Sequence, residues 1–159
     1  MINKLISFRF KNPEAPNTLY LDRDGVLNQC KVRNGKPYAP RSLADFVLLP
    51  NTKLALDRLR REKFILIVAT NQPDIGNGIV DEVEVELMHN RLRKELLLDD
   101  IRICPHRQDA GCFCRKPKPG LLIQAGVDYQ LDLKSCWMVG DRWSDIAAGM
   151  AAKTRTIFI

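Results

Sequence analysis

Thr18-Leu19-Tyr20-Leu21-Asp22-Arg23-Asp24-Gly25-Val26 is the stretch on which the reading of this chain turns. A short apolar run stopped by an acid suits a buried strand. It opens into two carboxylates two positions apart and a glycine, Gly25, that permits a tight turn. The same shape recurs downstream. Phe64 to Ala69 reads as a continuous apolar strand closed by Thr70-Asn71-Gln72-Pro73, and Cys136-Trp137-Met138-Val139 runs into Gly140-Asp141. Ile101-Arg102-Ile103 and Thr156-Ile157-Phe158-Ile159 read as two further strands.

Helical patterns separate these strands. Asn51 is a plausible N-cap for a helix whose apolar face is Leu54, Ala55 and Leu59, with Leu56 beside them. Asp81 can cap the next helix, which places Val85, Met88, Leu92 and Leu96 at helical spacing. Pro119 to Ala125 opens another helix ended by Gly126, and a last one covers about 143–151. Residues 28–50 hold Gly35, Pro37, Pro40 and Pro50 and read as a long loop. Residues 1–17 show no period and read as a peripheral arm, leaving 18–159 as the domain. Strands alternating with helices, without internal repeat, predict an α/β domain with a mainly parallel sheet. In such sheets ligands sit at the carboxyl ends of the strands, where Asp22, Thr70 and Asp141 all fall.

With 159 residues, 45% hydrophobic and 28% charged, the chain has the balance of a single soluble domain. No apolar run approaches the roughly 20 residues that span a bilayer, so no membrane partner is expected. Arg9 and Lys11 interrupt the short N-terminal apolar patch and no small-residue cleavage site follows, so a cytoplasmic location is expected. The net charge of +6 points to an anionic partner: nucleic acid, an acidic surface or a phosphorylated metabolite. Oligomeric state leaves no mark here.

Phosphoryl transfer needs an in-line nucleophile, a group for the leaving-group proton, and positive charge on the equatorial oxygens. In Asp22-Arg23-Asp24, one carboxylate held by a divalent cation can attack phosphorus, while Asp24 protonates the departing alkoxide and later activates water. Taken alone, D-x-D is equally a turn or a structural ion pair. Thr70 and Asn71 offer a hydroxyl and amides to a phosphate, and Lys116 precedes a helix start in Arg115-Lys116-Pro117-Lys118-Pro119-Gly120. Gly140-Asp141-Arg142-Trp143-Ser144-Asp145 adds an acidic cluster suited to a hard cation. Each has an ordinary alternative: a cap, a solvated lysine, a helix N-cap.

In this order and at strand ends, the four motifs resemble the haloacid dehalogenase superfamily of phosphatases over about residues 18–159. That resemblance implies a Rossmann-like three-layer sandwich without a large cap domain. It implies Asp22 as nucleophile and Asp24 as general acid/base, the acid that dehalogenase members lack. Thr70 and Lys116 would bind the phosphate. Mg²⁺ would be held by Asp22, the backbone carbonyl of Asp24, and Asp141, with Asp145 in support.

Cys104-Pro105-His106 and Cys112-Phe113-Cys114 form a second constellation. Four soft or borderline ligands suit a closed tetrahedral Zn²⁺ site, making 104–114 a structural zinc loop. A redox pair or unmetallated thiols are the alternatives. Cys136 falls in a buried strand and reads as core; Cys30 receives no role. A zinc loop fused to R-K-P resembles the branch holding the heptose 1,7-bisphosphate and histidinol-phosphate phosphatases, and Pro119-Gly120 looks more like the heptose enzymes. By that resemblance Arg115 and Arg142 would also contact the sugar phosphate, and residues 70–73, Asn71 and Gln72 among them, would form part of its cradle. The chain departs from the branch in reading Pro73-Asp74-Ile75-Gly76-Asn77-Gly78 where S-G-I-A-R-G is usual, with Tyr38 standing in for a family tyrosine.

The expected function is therefore an Mg-dependent phosphatase for a heptose bisphosphate or related sugar phosphate, feeding surface-polysaccharide (lipopolysaccharide) precursor synthesis. A histidinol-phosphate phosphatase and a DNA 3′-phosphatase are the runners-up; no aromatic platform interleaved with basic residues favours the latter. A zinc-stabilised nucleic-acid-binding module would have no need of Asp22, Asp24, Lys116 and Asp141 together.

Overall fold

Strand β1 (Thr18–Leu21) lies in the middle of a five-stranded sheet and is buried on both faces, which is why it reads as an unbroken apolar run. The computed structural model describes residues 17–159, so the arm expected at 1–17 lies, Asn17 apart, outside the described residues. β1 pairs in parallel with β4 (Ile65–Asn71) on one side and β6 (Trp137–Gly140) on the other. β5 (Asp100–Cys104) and β7 (Arg155–Phe158) complete a wholly parallel sheet in the order β5-β4-β1-β6-β7.

Because strand side chains alternate, the sheet serves two cores. Leu19, Leu21, Leu66 and Val68 meet Leu56 of α1 (Thr52–Arg61) and Val85, Met88 and Leu92 of α3 (Glu82–Leu96). Tyr20, Ile67, Ala69 and Met138 face the other way, onto Leu121, Leu122 and Ala125 of α4 (Gly120–Asp128). There α5 (Trp143–Ala151) packs so closely that a Cβ on Gly149 would lie 2.9 Å from that of Met138. The result is the three-layer helix–sheet–helix sandwich expected from the motifs. Each fully buried leucine in these layers contributes about 1.5–3 kcal/mol.

Strand order sets the location of the site. From β1 the chain steps outward to β4 and β5, then crosses back to β6 and β7. The crevice at the carboxyl ends of β1 and β6 is the switch point where such folds bind ligands. Among the described residues nothing larger than a hairpin is inserted into this frame, and no helix is long and apolar enough to cross a membrane.

Several local expectations change. Residues 28–50 are not simply loop: β2 (Lys31–Arg33) and β3 (Lys36–Tyr38) form an antiparallel hairpin. Its turn, Asn34-Gly35, has positive φ at both positions, 50° and 72°, as a type I′ turn requires. Asn51 does not cap α1, since its φ is 63° and its side chain makes no cap hydrogen bond. The buried face of α1 is Thr52, Leu56 and Leu59, while Leu54 is 52% exposed, because only the former recur at i, i+4 and i+7. Gly126 does not end α4; it lets Leu133 pack against the helix. A single helical turn, α2 (Pro73–Gly76), follows β4, which itself begins one residue after Phe64 and runs on through Thr70 and Asn71. The Asp81 cap is present, its carboxylate accepting from the Val83 N–H at 2.9 Å.

Candidate active site

Asp22 leaves β1 with its N–H donating to the Val139 carbonyl (2.9 Å), which seats the loop against β6. Its carboxylate accepts from Lys116 Nζ at 2.7 Å; the same ammonium donates to the Ala69 carbonyl at 2.7 Å and ion-pairs with Asp145 Oδ1 at 2.6 Å. Lys116 is therefore buried without being isolated. Burial works to lower its pKa, yet the Asp22 and Asp145 carboxylates hold it above the usual lysine range. At Asp22 burial prevails, raising the carboxyl against the pull of Lys116, with Asp145 and Asp24 adding to the rise.

Asp22, Asp141 and Asp145 bring one carboxylate oxygen each within 4.8 Å of one another. The Asp145 oxygens are committed: Oδ2 accepts from the Arg142 N–H at 3.0 Å and Oδ1 pairs with Lys116. Asp141 Oδ1, in contrast, is buried with no hydrogen-bond partner. Burial and the neighbouring Asp22 push the Asp141 carboxyl up, the signature of negative charge awaiting compensation. Gly25 makes room for that carboxylate: its φ is 94°, and a Cβ there would fall on Asp141. A hard divalent cation with oxygen ligands fits this donor set.

Asp24 is held differently. Arg23 forks onto it, Nη2 donating to Oδ1 (2.9 Å) and Oδ2 (3.0 Å) and Nε to Oδ1 (3.1 Å). Asn28 Nδ2 adds 2.9 Å to Oδ1 and Gln72 Nε2 adds 2.7 Å to Oδ2. Burial alone would raise this carboxyl, but the Arg23 charge and these donors carry it below the usual range, so the free site holds the carboxylate form. Behind Arg23, Nη1 donates to His89 Nε2 at 3.2 Å. Neither Arg23 nor His89 was singled out from sequence. Yet His89 stands four residues after Val85 and three before Leu92, on the face of α3 that packs inward.

Of the residues expected at the site, Asp22, Asp24, Asn71, Gln72, Arg115, Lys116 and Arg142 line one cleft of about 470 Å³. Tyr38 from the hairpin, Asp74, Gln108 and Trp143 share it. Thr70, almost fully buried, lies outside the lining with its hydroxyl accepting from Gln72 Nε2 at 2.9 Å. Two side chains expected to cradle substrate also brace the machinery. The Asn71 amide clasps the Lys116 backbone in both directions (3.0 and 3.1 Å), and that of Gln72 grips Asp24. Arg115 keeps a buried Nη1 without a partner beside the cleft, an unused donor.

Cys104, His106, Cys112 and Cys114 converge as their spacing predicts. Cys104 Sγ lies 3.6 Å from both His106 Nδ1 and Cys112 Sγ, and His106 Nδ1 lies 3.2 Å from Cys114 Sγ. Such separations are close to the edges, about 3.5–3.8 Å, of a tetrahedron built on the usual zinc bond lengths. They are far too long for disulfides, and all five cysteines are free. Lys118 Nζ braces the loop at the Gly111 and Cys112 carbonyls (2.7 and 2.9 Å). The loop also carries α2. Gln72 N–H donates to Cys104 O (2.8 Å), Gly76 N–H to Pro105 O (2.9 Å), and Asn77 Nδ2 to Gln108 Oε1 (3.0 Å). At Gly76 a Cβ would lie 2.6 Å from Pro105 O, so the segment sits backbone to backbone on the loop.

Comparison with known proteins follows the same lines. A family model described as HAD-hydrolase-like matches residues 113–159. The D-glycero-beta-D-manno-heptose-1,7-bisphosphate 7-phosphatase of Pseudomonas aeruginosa is 39% identical over 147 residues, spanning 89% of this chain and 79% of that protein. The D-glycero-alpha-D-manno-heptose-1,7-bisphosphate 7-phosphatase of Mycobacterium tuberculosis is 36% identical over 134 residues, spanning 80% and 68%. Among solved structures, the D,D-heptose 1,7-bisphosphate phosphatase of B. bronchiseptica, complexed with magnesium and phosphate, superimposes with a TM-score of 0.81 at 31% identity, covering 89% of this chain and 79% of that one.

Proposed function

This chain belongs to the haloacid dehalogenase-like hydrolases, and from that premise we propose that it removes the 7-phosphate of D-glycero-D-manno-heptose 1,7-bisphosphate, or the matching phosphate of a closely related sugar, by way of Asp22. The observation that carries this reading is the convergence of Asp22, Asp24 and Lys116 in one cleft with Arg115 and Arg142.

An Asp22 oxygen attacks phosphorus as the bond to the sugar oxygen breaks, and that oxygen takes a proton from Asp24. Water then attacks the phosphorus of the aspartyl-phosphate, returns its proton to Asp24, and inorganic phosphate leaves. Lys116 holds the transferring phosphoryl group, and Thr70, behind the cleft lining, supports it through the Gln72 amide that its hydroxyl accepts from. A bound phosphate dianion adds negative charge beside Asp24, which favours uptake of the proton it must give. Bound magnesium supplies the positive charge that lets two anions meet; Asp22, the Asp24 carbonyl and Asp141 would hold it, with Asp145 behind them. Arg115 and Arg142 suit the second phosphate, for which bidentate guanidinium contacts are the strong choice. Zinc on Cys104, His106, Cys112 and Cys114 would be structural. A cytoplasmic enzyme of surface-polysaccharide precursor synthesis is the setting this implies.

Phosphate release from both anomers of the heptose bisphosphate, histidinol phosphate and a 3′-phosphorylated oligonucleotide tests the substrate. The heptose bisphosphate should show the highest kcat/KM. An oligonucleotide or histidinol phosphate at the top would overturn the substrate assignment and leave the chemistry standing. Magnesium-dependent turnover by Asp22→Asn would overturn the chemistry.

A further inference from the structure

Arg23 and His89 have no part in the chemistry above, yet both are buried polar side chains directly behind Asp24. Arg23 is 0% exposed and absent from the cleft lining, so it does not touch substrate. A guanidinium removed from water must satisfy its donors or lose several kcal/mol. Arg23 spends Nε and Nη2 on the two Asp24 oxygens, rests its Cζ 5.8 Å from the Phe46 ring centre, and gives Nη1 to His89.

For His89 Nε2 to accept from Arg23, the ring must be neutral with its proton on Nδ1. Nδ1 faces the Glu86 carboxylate at 4.0 Å, which favours that tautomer. The surroundings keep the ring neutral: burial first, then the Arg23 and Arg93 charges, lower its pKa to about 3.

We infer that Arg23 and His89 form a positioning pair, in which His89 fixes the guanidinium fork and the fork fixes the Asp24 carboxylate for proton transfer at the leaving oxygen. The inference rests on the reading of Asp24 as acid and base. Without His89, Arg23 Nη1 is a buried donor with no acceptor, and the guanidinium gains by rotating toward another one. Rotation breaks the fork on Asp24. Displacement of a catalytic group by about 1 Å is enough to cost on the order of 100-fold in rate.

Leaving-group dependence separates this role from a merely structural one. With p-nitrophenyl phosphate the first step needs no acid, whereas hydrolysis of the aspartyl-phosphate still needs Asp24 as base. His89→Leu should lower kcat/KM for the sugar bisphosphate about 10- to 100-fold while leaving that for p-nitrophenyl phosphate nearly unchanged. It should also produce a pre-steady-state burst of p-nitrophenolate as phosphoenzyme accumulates. His89→Gln, which keeps an acceptor oxygen on a side chain of similar reach, should restore sugar turnover to within about threefold and abolish the burst. Equal losses on both substrates, or no loss with His89→Leu, would overturn the pairing. If His89→Leu does not fold, His89→Asn, whose shorter amide falls short of Arg23, takes its place in the comparison. Asp24→Asn distinguishes the two layers of argument: if it keeps sugar turnover, the acid/base reading of Asp24 fails, and otherwise the His89 series judges the pairing alone.

Discussion

Replacing His89 by glutamine should make the protein less sensitive to mild acid. In the unfolded chain the imidazole titrates near its ordinary 6.5, whereas in the fold burial and the Arg23 and Arg93 charges lower it to about 3, against the pull of Asp24. Between those values the unfolded state binds the proton and the folded state refuses it. Stability therefore falls as pH drops below 6.5. At pH 5.5 the unfolded site is about ten-elevenths protonated, and the penalty is RT ln 11, about 1.4 kcal/mol; at pH 7.5 it is below about 0.1 kcal/mol. Glutamine does not titrate. In urea denaturation without magnesium, the wild type should lose about 1.4 kcal/mol more than His89→Gln between pH 7.5 and 5.5, at equal m-values. Asp22 and Asp141 also shift, but both are present in each protein and cancel in the difference. An identical acid decrement in the two proteins would refute the claim that the fold keeps His89 neutral.

Lys116→Met strands Asp22 and Asp145 in the interior and should cost about 3–5 kcal/mol in metal-free buffer, with magnesium recovering part of it in parallel melts. Gly25→Ala combines about 1–2 kcal/mol of left-handed strain with a collision against the Asp141 carboxylate. Its magnesium dependence should shift at least about tenfold upward in calorimetric titration, since one 1.4 kcal/mol loss at the ion gives that factor. An unshifted titration would separate Asp141 from the metal. Metal analysis of the purified protein should find about one zinc per chain, lost in Cys112→Ser, because structural zinc needs all four ligands.

Much of this molecule is legible in its sequence. Strands buried on both faces announce themselves as apolar runs, so β1, β4 and β6 and the acids that follow them are readable in order. The α3 face was likewise readable from Val85, Met88, Leu92 and Leu96. What escaped is physically distinct. Hairpin β2–β3 is solvent-exposed almost throughout, so no apolar period marks it, and Pro37 argues against a strand; the only signal was Asn34-Gly35, the dipeptide that both positive φ values demand. Asn51 looked like a cap because its side chain could be one, but its backbone is left-handed. Nothing in the sequence singles out Arg23 between its two acids, and only the tertiary structure shows it buried against a neutral imidazole. Asn71 and Gln72 illustrate the same limit, since sequence names the amide and not the direction it turns.

The seating of α2 on the cysteine–histidine loop bears on how substrate preference could drift between relatives. A segment whose Gly76 lies against the Pro105 carbonyl, and whose Asn77 meets Gln108, is not an exchangeable cassette. Grafting S-G-I-A-R-G in its place would bring a methyl group onto that carbonyl and force the two loops apart. Introducing the arginine with that segment would require the cysteine–histidine loop to be remodelled in concert. The cleft wall at 73–78 and the cysteine–histidine loop are thereby constrained together, and a library that randomises 73–78 alone would be expected to return mostly misfolded clefts rather than new specificities.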